Sequence, residues 1–166
     1  MLIIFLIILL FSLFLLYKYF NNEYFTNNED YYKIINNKDK YILTKNRNNI
    51  IEFNKLKCND NKIKIIKTKI PFIYNIYLYD KKYDFYIENH NEFKIKLNNK
   101  DIYNVFFSLI NNKEIITIRN PNFDKLCNIK SLNKNDYIID SLNNFDYKLG
   151  LICFTLIKHI NKLNLC

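Results

Sequence analysis

From residue 31 onward the chain repeats one pattern: a short apolar or alternating run, then a separator built from asparagine, aspartate and lysine. The clearest separators are Asn36-Asn37-Lys38-Asp39, Asn59-Asp60-Asn61, Asn98-Asn99-Lys100-Asp101 and Asn111-Asn112-Lys113. The only glycine is Gly150. Asparagine tolerates positive φ better than any residue except glycine, so it is expected to make the tight turns. In Phe93-Lys94-Ile95-Lys96-Leu97 and Lys62-Ile63-Lys64-Ile65, period-two geometry sends the apolar side chains to one face and the lysines to the other. Strands are predicted at 31–35, 41–44, 50–53, 62–66, 72–79, 83–88, 92–97, 102–110, 114–119, 126–131 and 136–140, where β-branched and aromatic residues are rich. Turns about every ten residues predict an antiparallel meander, closed as a barrel or folded as a sandwich.

The end of the chain abandons this rhythm. From Leu149 to Ile157 the residues are apolar nearly all round a helix, and a helix is predicted over 146–162. Asn143, Asn144 or Asp146 can cap its start, and Lys158 and Lys162 suit the negative end of its dipole. The run is roughly half of the ~20 residues a membrane span needs. A short helix apolar on every side must be enclosed by protein. Gly150 costs such a helix ~1 kcal/mol against alanine, which is reasonable where a neighbouring strand passes close. The fold class expected is therefore mainly β, with a barrel-like antiparallel sheet around a buried C-terminal helix.

The start of the chain is different again. Residues 1–20 carry no charge before Lys18. At ~1.5 Å per residue, ~20 apolar residues cross the ~30 Å hydrocarbon core as one helix. In that reading Leu2, Ile3, Phe5, Leu9, Phe14 and Leu16 lie in the hydrocarbon. Tyr17, Tyr19 and Phe20 supply an aromatic belt, and Lys18 snorkels to the headgroups. A cleaved signal peptide wants a basic start, a shorter apolar stretch and small residues at the cut. Here the start has no lysine or arginine and the exit is bulky. The expected organisation is a transmembrane anchor over 1–20, a polar stalk over 21–30 and one β-rich domain over 31–166. Lys18 and Lys33 near the span lean towards a cytosolic C-terminal domain.

The net charge is +9, but of 25 basic residues only Arg47 and Arg119 are arginine. The abundance of Lys, Asn, Ile, Tyr and Phe is what AT-rich codons produce, so part of the lysine excess is compositional. Bidentate recognition of phosphate and base edges favours arginine, so nucleic acid is not the expected partner. A lipid bilayer is, through anionic headgroups that attract lysines by ~1 kcal/mol each near the surface, or else a membrane-associated protein. Lys62, Lys64, Lys94 and Lys96, on strand faces turned to solvent, are the candidate lipid contacts.

Catalytic chemistry has little to stand on in this sequence. Cys58, Cys127, Cys153 and Cys166 include no closely spaced pair and no histidine at a metal-ligand interval, so no metal site is expected. Four cysteines permit two disulfides in any of three pairings, although Cys153 within the apolar helix reads as a buried free thiol. A single glycine leaves no phosphate-cradling loop. His90 reads as a turn histidine, His159 as a helix-end one, and Asp80, Asp84 and Glu88 as solvated hairpin carboxylates. No catalytic residue and no cofactor is expected.

Many short antiparallel strands, among them the hairpin over 83–97, followed by the helix from Asp146 to Ile160, resemble the tubby C-terminal-like superfamily. That superfamily includes the tubby, LURP-one-related and phospholipid scramblase domains. The resemblance implies a closed barrel threaded by its hydrophobic C-terminal helix, and a lipid-binding or lipid-translocating role. This chain departs from it in three ways. It is short for the family's usual twelve strands, it carries neither phosphoinositide-site residues nor an acidic calcium segment, and its expected anchor is N-terminal. The function expected is a single-pass, membrane-anchored, non-enzymatic binding or scaffolding module at a membrane surface. The rival is a small viral envelope or virion-membrane protein acting in assembly or entry, whose ectodomain would need its cysteines paired.

Overall fold

Described in the computed structural model are residue 12 and residues 32–38, 40–142 and 145–163. Ser12 is helical and exposed. The rest of the expected anchor, with Leu2, Ile3, Phe5, Leu9, Phe14 and Leu16, lies outside the described residues, as does the stalk over 21–30. Among the described residues no helix is long and apolar enough to cross a membrane.

Among the described residues twelve strands form one antiparallel sheet, and one helix follows them. The strands are β1 (Tyr32–Asn37), β2 (Lys40–Lys45), β3 (Asn48–Asn54), β4 (Lys57–Cys58), β5 (Ile63–Lys67), β6 (Ile73–Leu78), β7 (Lys81–Ile87), β8 (Glu92–Leu97), β9 (Lys100–Ile110), β10 (Lys113–Arg119), β11 (Lys125–Ser131) and β12 (Asp136–Ser141). The helix is α1 (Tyr147–Leu163). Each strand pairs with its neighbours in sequence, except that β4 does not pair with β5, and β1 also pairs with β12, with Ile34 opposite Tyr137. The order therefore runs β4-β3-β2-β1-β12-β11-β10-β9-β8-β7-β6-β5. The two edges, β4 and β5, follow each other in the chain, so the sheet is a nearly closed barrel. Closing a sheet in this way removes most of the exposed edge that would otherwise template aggregation.

All eleven predicted strands are present. The chain is also long enough for twelve, contrary to the sequence expectation, because the connections are minimal. Two-residue turns join β2 to β3, β6 to β7, β8 to β9 and β9 to β10, with Lys45 opposite Asn48, Leu78 opposite Lys81, Leu97 opposite Lys100 and Ile110 opposite Lys113. Asn46-Arg47, Asn98-Asn99 and Asn111-Asn112 have positive φ at both positions, the backbone of turns whose twist matches the flanking strands. Asparagine does not make every tight turn, however. Among the described residues only five of the eleven with positive φ are asparagine, and Lys38, Lys55, Phe72, Tyr79 and Phe123 also take it. The separator at 59–61 works by side chains instead. Asn59 Oδ1 accepts from the Glu52 N–H at 2.9 Å, and Asp60 Oδ1 from the Lys62 N–H at 2.9 Å.

The inward positions alternate along the strands as predicted: Tyr41 and Leu43, Ile51 and Phe53, Tyr74, Ile76 and Leu78, Phe93 and Ile95, Ile116 and Ile118 are all buried. They enclose α1, in which every residue from Leu149 to Ile157 is buried. Burial on all sides of a helix requires side chains around its whole circumference, and the barrel supplies them. Asp146 caps it, its Oδ1 accepting from the Lys148 N–H at 2.8 Å. The Tyr147 ring stacks on Tyr32 of β1 at 3.9 Å, and Phe154 packs edge-on against Tyr41 of β2 and Tyr137 of β12. A Cβ built on Gly150 would stand 3.6 Å from Cys127 Sγ and 3.9 Å from Ile129 Cδ1, both on β11. The strand facing the glycine is β11, at ordinary packing distance through its side chains.

Candidate functional site

The end of α1 points to one mouth of the barrel. Lys162 Nζ lies 3.5 Å from the carbonyl of Lys38 in the β1–β2 turn, and Ile160 and Leu163 border the β5–β6 and β7–β8 loops. In an antiparallel meander every second connection lies at the same end. This mouth is therefore ringed by the connections β1–β2, β3–β4, β5–β6, β7–β8, β9–β10 and β11–β12.

Just inside the mouth sits a polar cluster. Lys158 Nζ donates to Glu114 Oε2 at the start of β10, and Tyr137 O–H donates to the same oxygen at 2.6 Å. The Lys158 ammonium also stands 5.1 Å from the Tyr137 ring centroid, within reach of its negative face. Burial, and then the Glu114 hydrogen bond, push the Tyr137 phenol above the usual tyrosine range. Each member satisfies another, so the cluster fixes the depth of the helix in the barrel.

The rim itself is unusual for a soluble surface. Ten large apolar side chains are exposed among the described residues, and seven of them are here: Ile66, Ile70, Phe72, Leu109, Ile110, Leu132 and Leu163. Single exposed apolar residues are normal on a protein surface, but these seven share one end of the barrel. Exposed lysines alternate with them around the rim. Lys67 at the end of β5 and Lys69 in the β5–β6 loop lie between Ile66 and Ile70, Lys113 follows Ile110, Lys134 follows Leu132, and Lys162 precedes Leu163. Lys38, Lys55 and Lys57 complete the ring.

The β5–β6 loop is the most constructed part of this rim. Thr68 Oγ1 lies 2.9 Å from the Ile70 carbonyl and 3.0 Å from the Ile73 carbonyl, and accepts from the Ile70 N–H at 3.2 Å. The loop so held presents Phe72, which is 68% exposed and adopts φ of 67°. For a bulky residue the left-handed region costs ~1–2 kcal/mol, so an aromatic ring is held out to solvent against a local penalty. Tyr79 and Phe123 at the opposite mouth share this conformation, so what sets Phe72 apart is the hydrogen-bonded loop that holds it and the cleft beside it. A cleft of ≈ 560 Å³ opens beside it, with Phe72, Ile73, Ile87, Ile160 and Leu163 among its walls and Lys67, Glu88 and His90 among its polar groups.

The lysines singled out in the sequence lie elsewhere. Lys94 and Lys96 are on the outward face of β8, as alternation requires, but each meets an acid: Lys94 Nζ is 3.5 Å from Glu88 and Lys96 Nζ 3.5 Å from Asp101. Lys96 also stands 4.6 Å from the Tyr86 ring centroid. Lys62 and Lys64 are exposed, the first before and the second within edge strand β5. β6 and β7 separate β5 from β8 in the sheet, so at ~4.8 Å per strand the two lysine pairs are ~14 Å apart. Asp84 is not a hairpin carboxylate. It lies within β7, half-buried, with Lys82 Nζ 3.3 Å away. Cys58, Cys127 and Cys153 are free thiols, and Cys166 lies outside the described residues. Burial pushes the Cys127 thiol up to about 12 and raises Cys153 as well, so both are held as neutral packing groups. Among the described residues no cluster of His, Cys, Asp or Glu could hold a metal ion.

No protein-family model, curated protein or solved structure matches the chain.

Proposed function

We propose that this is a single-pass, membrane-anchored, non-enzymatic binding module that engages anionic lipid headgroups through the rim around the helix C-terminus. The observation that carries this reading is the interleaving of seven exposed apolar side chains with exposed lysines at one mouth of the barrel. Apolar tips gain by entering the headgroup region, while lysines beside them gain ~1 kcal/mol each near an anionic surface. Lys94 and Lys96 suit this role less well, since their cross-strand acids already neutralise them. A barrel of twelve strands around a C-terminal helix supports the further proposal that the domain is tubby-like in architecture, with its lipid contacts at a loop rim. The three free thiols favour this module over a disulfide-bonded ectodomain.

The test uses the full chain in nanodiscs of phosphatidylcholine with or without phosphatidylserine, read by amide hydrogen exchange. The β5–β6, β9–β10 and β11–β12 connections are expected to exchange more slowly only when phosphatidylserine is present, and the opposite mouth to be unaffected. The Phe72→Asn variant relieves the backbone strain and removes the ring, so it is expected to keep the fold and weaken the protection. Equal exchange with both lipids would sink the reading.

A further inference from the structure

The cleft beside Phe72 has a chemistry of its own. Its floor includes Ile160, which is 4% exposed, and its walls are mostly apolar. Its ≈ 560 Å³ falls within the ~300–1,000 Å³ of sites that enclose small ligands. Two basic side chains, Lys67 and His90, line it, and Lys69 lies two residues from Lys67. The one carboxylate in its lining, Glu88, is ion-paired with Lys94 at 3.5 Å. The cleft thus combines an apolar wall with a basic lining. It continues the rim, since Phe72 and Leu163 belong to both.

We propose that this cleft takes one acyl chain of an anionic amphiphile, with the chain against Ile87, Ile160 and Leu163 and the carboxylate or phosphate against Lys67 and His90. Each methylene buried there strengthens binding about fourfold, which favours a chain over a bare headgroup. The hydrogen-bonded Thr68 loop holds the Phe72 wall in place before the ligand arrives, which lowers the ordering cost of binding. The proposal rests on the membrane-facing reading of the rim only for the source of the ligand. A bilayer lipid could lift one chain into the cleft, or a free fatty acid could enter from solution.

Two photoreactive probes separate these sources, applied to the full chain in phosphatidylcholine nanodiscs. One is a free fatty acid bearing a diazirine in its chain, and the other is phosphatidylserine bearing the same group. Labelled residues are mapped by mass spectrometry. Labelling at Ile87, Ile160 or Leu163 by either probe, displaced by excess unlabelled oleate, is the expected result, and the probe that labels identifies the source. Leu163→Trp, at a 55% exposed position, fills the cleft with little risk to the fold. Lys67→Glu reverses the charge beside it. Each is expected to reduce labelling by roughly an order of magnitude. Labelling confined to the tips of the β5–β6 and β9–β10 connections would overturn the cleft proposal and leave the rim reading standing. Absence of labelling at cleft and rim alike would overturn both.

Discussion

Lys158 shows how one residue sets the geometry of the mouth. Its ammonium is drawn to Glu114 and over the Tyr137 ring, leaving the lysine side chain 15% exposed and the glutamate 30%. Hydrogen bonds to charged groups contribute ~1.5–3 kcal/mol, and a carboxylate that loses its partner costs more to bury than the pair did. Lys158→Met is therefore expected to lower unfolding stability by ~1–3 kcal/mol in a urea titration. Glu114→Gln combined with Lys158→Met is expected to recover part of that loss, because no uncompensated charge remains. Unchanged stability in Lys158→Met would show that the pair is solvated and does not hold the helix. The lysine was legible in the sequence only as a residue suited to the dipole. Its partner Glu114 lies 44 residues away, and no local pattern announces such a contact.

At the scale of the element, α1 is specified by burial, against its own local weakness at Gly150. Nothing at this position demands glycine: its φ is not positive, and the nearest atoms to an added Cβ, at 3.5 to 3.9 Å, are at ordinary packing distance. Gly150→Ala is expected to raise the thermal midpoint, with a gain of up to ~1 kcal/mol from helix propensity. A lowered midpoint would mean that Cys127 and Phe145 cannot accept the methyl group. The helix and eleven strands were legible because each is long enough to display its period. β4 was not, since two residues, Lys57 and Cys58, carry no alternation, and its turn uses Lys55 at positive φ instead of asparagine. The aromatic positive-φ residues Phe72, Tyr79 and Phe123 were equally hidden. Bulky residues take that conformation only when surrounding structure imposes it.

At the scale of the whole barrel, the proposed function belongs to one end, and the sequence cannot display ends. Leu109 and Ile110 read as ordinary strand residues in the chain and Ile66 as the end of an alternating strand, while Leu132 and Leu163 fall just past the predicted elements. Only the meander brings them to one mouth, where they meet the lysines of the intervening turns. Conversely, the alternation that turns Lys94 and Lys96 to the outward face was read correctly, but both are half-buried, and Glu88 and Asp101, which pair with them, lie across neighbouring hairpins. The central claim is that the mouth bearing the helix C-terminus meets the membrane. The direct test is depth-dependent quenching by nitroxide lipids of a fluorophore placed at residue 72, 109 or 123 of the full chain in phosphatidylserine nanodiscs. Phe123 belongs to the opposite mouth and is also exposed, at 59%, so it serves as the internal reference. The account predicts strong quenching at 72 and 109 and little at 123. Equal quenching at all three positions, or the reverse order, would contradict it.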